Sequence, residues 1–170
     1  ETVRFARENN VPYLGLCLGM QVMVIEAARN LLGKDGANSS EFDADTKDPV
    51  IDLMTDQVGV KEKGGTMRLG VYPCVIADGT ITSKAYGVKT VMERHRHRFE
   101  FNNAYKADLA SVGLVSTGIS PDGQLVEIVE YETHPFMAGT QFHPEFLSRP
   151  SNPHPLFREF VSATCEFRDK

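Results

Sequence analysis

The stretch YLGLCLGMQ, residues 13–21, changes from a strand pattern to a helix pattern with a cysteine at the boundary. Four largely apolar residues, Tyr13–Leu16, predict a short buried strand. Apolar residues recur at helical spacing from position 20 to position 31 and predict a helix. Cys17 lies on the turn between them, at the centre of a G-x-C-x-G sequence. This pattern is typical of a nucleophile elbow, in which small flanking residues let the backbone turn sharply and expose the nucleophile.

The predicted helix begins close after Cys17, and this bears on the reactivity of the thiol. The first N–H groups and the positive end of the helix dipole would point at the sulfur and favour the thiolate. A cysteine after an apolar strand is otherwise a small buried hydrophobic residue, and the sequence around the turn leaves that alternative open.

The composition is that of an ordinary globular domain, and it argues against several classes of function. The chain has 170 residues, of which 41% are hydrophobic and 24% charged, so one domain over residues 1–170 is expected. A net charge of −5 argues against binding to nucleic acid or to a membrane surface. No apolar run is long enough to span a bilayer, and no signal peptide is visible. Three widely spaced cysteines argue against a disulfide framework and predict a cytoplasmic location.

Strand and helix patterns that follow one another along the chain predict an α/β fold. We expect a mostly parallel, doubly wound sheet, because a strand that carries a nucleophile normally lies in the middle of a parallel sheet. Only one helix pattern, in residues 2–10, precedes the elbow, so the expected neighbours of that strand are not all present. Glu1 also stands where an initiator methionine would be. We therefore expect the chain to be a piece of a longer protein.

A thiol nucleophile needs a general base, and that base needs a group that orients it. His143 follows a short predicted strand in the stretch GTQFHPEF, residues 139–146, and Glu145 comes two residues later. In an extended chain, residues two apart point to the same side, so Glu145 could hold the imidazole of His143. The spacing is consistent with a Cys17–His143–Glu145 triad, although a His-Pro-Glu sequence is also typical of a surface turn.

The stretch RHRHRFEF, residues 94–101, allows two other interpretations. Basic residues interleaved with aromatic ones could form an RNA-binding strand, but the acidic net charge and the lack of a second basic cluster argue against it. His95 and His97 share one face of a predicted strand and could bind a metal together with His143. A metal would block thiolate chemistry, and no cysteine pair accompanies the histidines. We therefore favour an enzyme with a cysteine nucleophile over both an RNA-binding strand and a metal site.

Two stretches together resemble a known family, the class I glutamine amidotransferases, which hydrolyse glutamine with a Cys-His-Glu triad. They are GLCLGMQ, residues 15–21, and FHPEF, residues 142–146. Five further stretches resemble the C-terminal glutaminase domain of the CTP synthase family: ANSSEF at 37–42, GGTMRLG at 64–70, ERHRHRFEFN at 93–102, QLVEIVE at 124–130 and HPEFLSRP at 143–150. The alternative is a class I glutaminase or γ-glutamyl hydrolase that serves another pathway. Such an enzyme should lack GGTMRLG and RHRHRFE.

The resemblance implies a catalytic role for four residues. Cys17 would attack the side-chain amide of glutamine, and His143 would act first as general base and then as general acid. Glu145 would orient His143, and the backbone N–H of Leu18 would be one donor to the oxyanion. The family places a second donor in a glycine-rich loop before the elbow strand, a loop that this sequence lacks.

The resemblance also implies a glutamine-binding site made of Gln21, Glu41, Arg98 and Phe99. Glu41 would hold the α-ammonium group. Arg98, with the Phe99 backbone nearby, would hold the α-carboxylate, a task suited to a bidentate guanidinium. Gln21 could also be an ordinary helix residue, and Glu41 a solvated carboxylate in a loop.

The remaining implications concern the complete enzyme. Its N-terminal synthase domain would use the ammonia to aminate UTP to CTP with ATP and Mg²⁺, GTP would act as activator, and the assembly would be a homotetramer. This chain itself would need no cofactor and no metal. It would be the C-terminal portion of the glutaminase domain. The segment 56–63 is short for the family, which bears on the contacts to the activator.

Overall fold

The computed structural model describes residues 1–53 and 67–169, which form both helices and strands. The helices are α1 (Thr2–Glu8), α2 (Leu18–Asn30), α3 (Ile81–Tyr86), α4 (Lys106–Ser111) and α5 (Pro155–Arg168), with short 3-10 helices at Asn103–Tyr105 and Pro144–Phe146. The strands are β1 (Tyr13–Leu16), β2 (Asn38–Ser39), β3 (Pro49–Leu53), β4 (Arg68–Ile76), β5 (Thr90–His97), β6 (Phe99–Phe101), β7 (Leu114–Ile119), β8 (Val126–Tyr131) and β9 (Met137–Thr140).

The strands form two sheets, and the α/β class is confirmed. The larger sheet has the order β1-β9-β8-β7-β4-β5, and the smaller one has the order β2-β3-β6. Among the described strands only β1–β9 and β2–β3 pair in parallel, so the sheets are mixed and the expectation of a mostly parallel sheet needs correction. Short connections are the reason, since a tight turn such as the one at 120–123 between β7 and β8 can join only antiparallel neighbours.

Helices cover both faces of the larger sheet, as expected for a doubly wound arrangement. On one face α2 packs its buried residues Met20, Met23 and Ala27 in one core with Val129 of β8. On the other face Leu156 of α5 joins a second core with residues of β4, β5 and β8. Every residue of β8 and of its neighbour β9 is buried, so these two strands lie at the centre of the fold.

Close packing of α2 on the sheet depends on Gly139 in β9. A Cβ atom at this position would lie 2.8–2.9 Å from the side chains of Met20 and Met23. Contacts this short are not tolerated, so a residue with a side chain would push the helix away from β9. The glycine thus fixes the position of the helix that begins at the elbow.

His95 and His97 share one face of a strand, as predicted. In β5 the side chains of Val91, Glu93, His95 and His97 are buried, whereas the residues between them are exposed. The buried face includes two histidines and a glutamate, which demand hydrogen-bond partners inside the protein.

Helix α3 was not predicted, although its start carries a capping box between Thr80 and Ser83 and its end a left-handed Gly87. The short segment 56–63 and the first residues of GGTMRLG, 64–66, lie outside the described residues. In the described part of the chain, no helix is long and apolar enough to cross a membrane.

Candidate active site

Cys17 occupies a strained turn between β1 and α2. Its backbone has φ of 49° and ψ of −101°, in a region that residues with a side chain rarely adopt. The amide of Cys17 donates to the Thr140 carbonyl over 2.7 Å, and the carbonyl of Cys17 accepts the N–H of Met20 in the first turn of α2. A side chain at position 15 would lie 2.6 Å from the backbone of Gly19, so the elbow requires glycine there. The predicted elbow is therefore present.

The parallel pairing of β1 with β9 brings the two halves of the site together. Leu16 stands opposite Thr140 in the register, so the chain leaves both strands at the same edge of the sheet. The next residue of each strand is Cys17 and Gln141, and the amide Nε2 of Gln141 donates to the Cys17 Sγ over 3.7 Å. His143 follows two residues later. Strand pairing thus brings together residues that lie more than a hundred positions apart in the sequence.

His143 and Glu145 form a hydrogen-bonded pair beside the elbow. The Nδ1–H of His143 donates to the Glu145 carboxylate over 2.6 Å. The ring also stacks on Phe146, and the backbone N–H of His143 donates to the Arg94 carbonyl over 2.8 Å. Nε2, the second ring nitrogen, is buried and hydrogen-bonds to no group in residues 1–53 and 67–169. The ring is therefore held at one nitrogen and can accept a proton at the other.

The local geometry of the pair differs from the sequence expectation. Glu145 was expected in extended chain, where residues two apart share a side. It lies instead in the 3-10 helix Pro144–Phe146, and β9 ends at Thr140. Pro144 at the start of this helix fixes the turn, because its ring sets the backbone torsion needed there. The tight turn returns the carboxylate to the imidazole.

The pKa of the Cys17 thiol is raised, chiefly because the sulfur is buried. The Leu18 N–H and the Gln141 amide both lower this pKa, but they only partly offset the burial, and the negative charge of Glu145 raises it further. The expected effect of the helix start is present, since the Leu18 N–H lowers the pKa, but it is not the dominant one. Desolvation outweighs the helix terminus, and the thiol depends on a nearby base to lose its proton.

A cavity of about 530 Å³ opens beside the elbow. Its volume is in the range of small-molecule sites. Six of the eight predicted site residues line it, and His143 and Glu145 do not. The described lining residues are Cys17, Leu18, Gln21, Glu41, Phe42, Met67, Arg96, His97, Arg98 and Phe99.

Gln21 connects the elbow helix to the opposite wall of the cavity. It is 3% exposed, and its Nε2 donates both to the Phe99 carbonyl over 3.1 Å and to the Gln141 Oε1 over 3.3 Å. The side chain therefore holds the backbone of β6 in place. Glu41, in contrast, is exposed at the rim.

A buried cluster of charged residues and histidines adjoins the cavity, because one of its members, His97, lines it. Arg68 donates to Glu127 over 2.6 Å, and the rings of His95 and His97 hydrogen-bond to each other over 2.9 Å. Burial, reinforced by the charge of Arg68, lowers the pKa of His95 to about 2 and that of His97 to about 3. Both rings are neutral and face each other instead of converging on a metal with His143. No group of three or more His, Cys, Asp or Glu in the described ranges could hold a metal ion.

A sequence model of the family "Glutamine amidotransferase class-I" matches residues 1–163. The chain belongs to this family. It is 65% identical over 161 residues to a CTP synthase of Dehalococcoides mccartyi, covering 95% of this chain and 30% of the relative. It is 62% identical over 166 residues to a CTP synthase of Caldanaerobacter subterraneus subsp. tengcongensis, covering 98% and 31%. The chain thus spans about a third of the length of these curated relatives.

Two solved structures are similar to this amidotransferase. The glutaminase domain of Trypanosoma brucei CTPS with bound acivicin matches with a TM-score of 0.90 and 38% identity, over 96% of this chain and 64% of that one. A GMP synthase component from Thermoplasma acidophilum, described as putative, matches with a TM-score of 0.58 and 16% identity, over 99% of this chain and 64% of that one. The second likeness concerns the fold alone.

Sequence reasoning missed several residues of the amidotransferase site. Gln141 lies within GTQFHPEF, two residues before the predicted base, and its sequence context predicted no role for it. Phe42, Met67, Arg96 and His97 line the cavity without having been predicted to do so. Their sequence signal is weak, because the cavity brings together the 37–42 loop, the residue before β4 and the end of β5, which are far apart in the sequence.

Proposed function

We propose that this amidotransferase is the glutamine-hydrolysing part of a CTP synthase. It would release ammonia from glutamine for the ATP-dependent amination of UTP to CTP by the rest of the enzyme. The observation that carries the proposal is the elbow cysteine at the edge of the sheet where β1 and β9 end, beside a histidine held by a glutamate. The identity of 57–65% to CTP synthases supports this pathway over another class I glutaminase or a γ-glutamyl hydrolase.

The first step is attack of the Cys17 sulfur on the amide carbon of glutamine. His143 takes the thiol proton at Nε2, while Glu145 keeps Nδ1 protonated and compensates the positive charge that forms on the ring. The carbonyl oxygen becomes an oxyanion and accepts the N–H of Leu18 at the start of α2. Because burial raises the pKa of the thiol, a base at the point of attack favours the reaction.

The second step breaks the carbon–nitrogen bond. His143 gives its proton to the leaving nitrogen of the tetrahedral intermediate, the carbon–oxygen double bond re-forms, and ammonia departs, which leaves a glutamyl thioester on Cys17. Water then attacks the thioester carbon, with His143 again as base. Glutamate leaves and the thiol is restored, so one histidine carries the proton through both halves of the reaction.

Glutamine would bind in the cavity beside Cys17. The guanidinium of Arg98 can pair with the α-carboxylate through two parallel hydrogen bonds, and Glu41 at the rim carries the charge opposite to that of the α-ammonium group. Gln21 supports this arrangement because it fixes the Phe99 carbonyl at the cavity wall. The site therefore offers one charged group for each end of the amino acid.

The partners of the complete protein are part of the same proposal. They are an N-terminal synthase domain with its substrates ATP and UTP and its Mg²⁺, GTP as activator, and three further copies in a cytoplasmic homotetramer. Leu18, Phe42, Phe146 and Leu147 are exposed apolar residues at or near the cysteine and the histidine, which suits contact with another domain. None of these ligands is assigned to residues of this chain.

The test compares two nitrogen sources in the full-length protein. Cys17→Ala should abolish CTP formation from glutamine and leave CTP formation from free ammonia intact, because ammonia bypasses the glutaminase site. Cys165→Ala is the matched control, since Cys165 is exposed on α5 and should leave both reactions unchanged. Glutamine-dependent activity that survives Cys17→Ala, or a native protein that aminates UTP from neither source, would contradict the proposal.

A further inference from the structure

We propose that Gln141 is a further catalytic residue, whose side-chain amide donates a hydrogen bond to the Cys17 sulfur and stabilises the thiolate. The inference rests on the proposed function, since it concerns the same nucleophile. Gln141 is fully buried, and its Nε2 lies 3.7 Å from Sγ. Its backbone N–H donates to the Glu127 carbonyl over 2.8 Å, which fixes the residue beside the central strand.

The orientation of the Gln141 amide follows from a chain of hydrogen bonds that begins at a backbone carbonyl. The Phe99 carbonyl can only accept, so the group that Gln21 turns toward it must be its NH₂. That same nitrogen faces Gln141 at 3.3 Å and therefore requires an acceptor there, which is the Gln141 oxygen. The nitrogen of Gln141 is then left to face the sulfur. A donor at this place favours the thiolate over the thiol.

The electrostatics of the sulfur show why such a donor matters. Burial raises the pKa of the thiol, and the negative charges of Glu145 and Glu100 raise it further. Two groups lower it, the backbone N–H of Leu18 and the amide of Gln141. In the proposed reaction the Leu18 N–H turns to the oxyanion of the substrate. Gln141 then continues to stabilise the sulfur while it acts as nucleophile and as leaving group.

The same chain links the nucleophile to the substrate-binding wall. Gln141 holds Gln21, and Gln21 holds the backbone of Phe99 next to Arg98. The position of the sulfur and the position of the residues proposed to hold the α-carboxylate are thereby set by one hydrogen-bonded unit. Loss of Gln141 should therefore lower kcat and also weaken glutamine binding.

The test measures the pH dependence of Cys17 alkylation by iodoacetamide in the full-length enzyme without glutamine. Gln141→Leu should move the midpoint about one pH unit upward and slow alkylation at neutral pH about tenfold, because a charge-assisted hydrogen bond is lost. Thr117→Val is the matched control, since Thr117 is buried in the same sheet but bonds to Glu130 instead of the sulfur. It should leave the midpoint unchanged.

Gln141→Glu gives a signature that a purely structural role would not produce. As a neutral acid at low pH the new side chain can donate to the sulfur, whereas its carboxylate at higher pH can only accept and repels the thiolate. Glutaminase activity relative to the native enzyme should therefore fall as the pH rises.

The outcomes distinguish this inference from the proposed function. The melting temperature of each variant, compared with that of the native enzyme, reports whether it is folded. If Gln141→Leu does not fold, the pH trend of Gln141→Glu decides. An unchanged alkylation midpoint in Gln141→Leu, or a flat relative activity in Gln141→Glu, overturns the role of Gln141 while the glutaminase assignment stands. Glutamine-dependent activity in Cys17→Ala overturns the assignment itself.

Discussion

At the scale of single residues, the nucleophile Cys17 has a strained backbone and a sulfur atom buried away from water. The positive φ of Cys17 is maintained by glycines and by the start of α2, and the same packing removes the sulfur from water. Burial disfavours the thiolate, so reactivity depends on a small number of placed groups: the Leu18 N–H, the Gln141 amide and the base His143. This arrangement of groups favours proton transfer from the thiol at the moment of attack over a permanently ionised thiol.

We expect Cys17 to be the residue that a glutamine-like electrophile, such as a diazoketone analogue, labels. Cys74 is fully buried, and desolvation raises the pKa of its thiol well above the usual range. Cys165 is exposed on α5, away from the predicted base. Peptide mapping of the labelled full-length enzyme measures this. Label on Cys74 or Cys165 with Cys17 unmodified would contradict it.

Glutamine recognition should depend on the fork geometry of Arg98 as well as on its charge. Arg98→Lys keeps the charge but loses the bidentate contact, and we expect a loss of about 1–3 kcal/mol in glutamine binding. The KM for glutamine is the readout, and ammonia-dependent CTP formation is the control. Equal loss of both activities would make Arg98 a structural residue instead.

At the scale of elements, the turn between β1 and α2 depends on the packing of two backbones. Gly15 approaches Gly19 so closely that no side chain fits, and Gly139 lets α2 lie against β9. The helix, the elbow and β9, which ends one residue before Gln141, are thereby packed as one unit. Small errors in this unit would displace the sulfur from its partners.

Gly15→Ala should destabilise the elbow, because the new Cβ would lie 2.6 Å from the Gly19 backbone. We expect a loss of about 1–3 kcal/mol in the free energy of unfolding and a strong loss of glutaminase activity. Gly36→Ala is the matched control, since nothing lies within 4 Å of a Cβ at that position. Thermal unfolding of the two variants measures the difference, and equal melting temperatures would refute the packing argument.

At the scale of the whole molecule, the outer edge of β1 is notable, because β1 pairs with β9 alone among the described strands. The chain also covers only 64% of the similar trypanosomal glutaminase domain. A parallel strand with a free edge exposes unpaired backbone groups next to the nucleophile. The rest of the longer relatives' sequence is the natural candidate to pair there.

Residues 1–170 alone should therefore be a poor glutaminase. By resemblance to the family, the second oxyanion donor belongs to a loop outside this sequence, and loss of one donor costs about 2.7–4 kcal/mol of transition-state stabilisation. We expect a rate about a hundred- to a thousandfold below that of the full-length enzyme. Glutamine turnover per reactive thiol compares the two. Equal rates would show that both donors lie within residues 1–170.

Local sequence patterns were enough to predict several features of this amidotransferase. Glycines around Cys17 predicted the elbow, and the spacing of His143 and Glu145 predicted their pairing, although the extended geometry assumed for them was wrong. Each of these depends on neighbours within a few residues, where backbone geometry limits the choices. The strand before Cys17 and the helix after it could be predicted for the same reason.

The meeting of distant segments, in contrast, follows from the tertiary fold. The mixed sheet, the contact of Gln141 with Cys17 and the raised pKa of the thiol all follow from the pairing of β1 with β9 and from burial by α2. Register between strands more than a hundred residues apart leaves no mark within either segment. Desolvation depends on everything packed around an atom, so no stretch of sequence contains it.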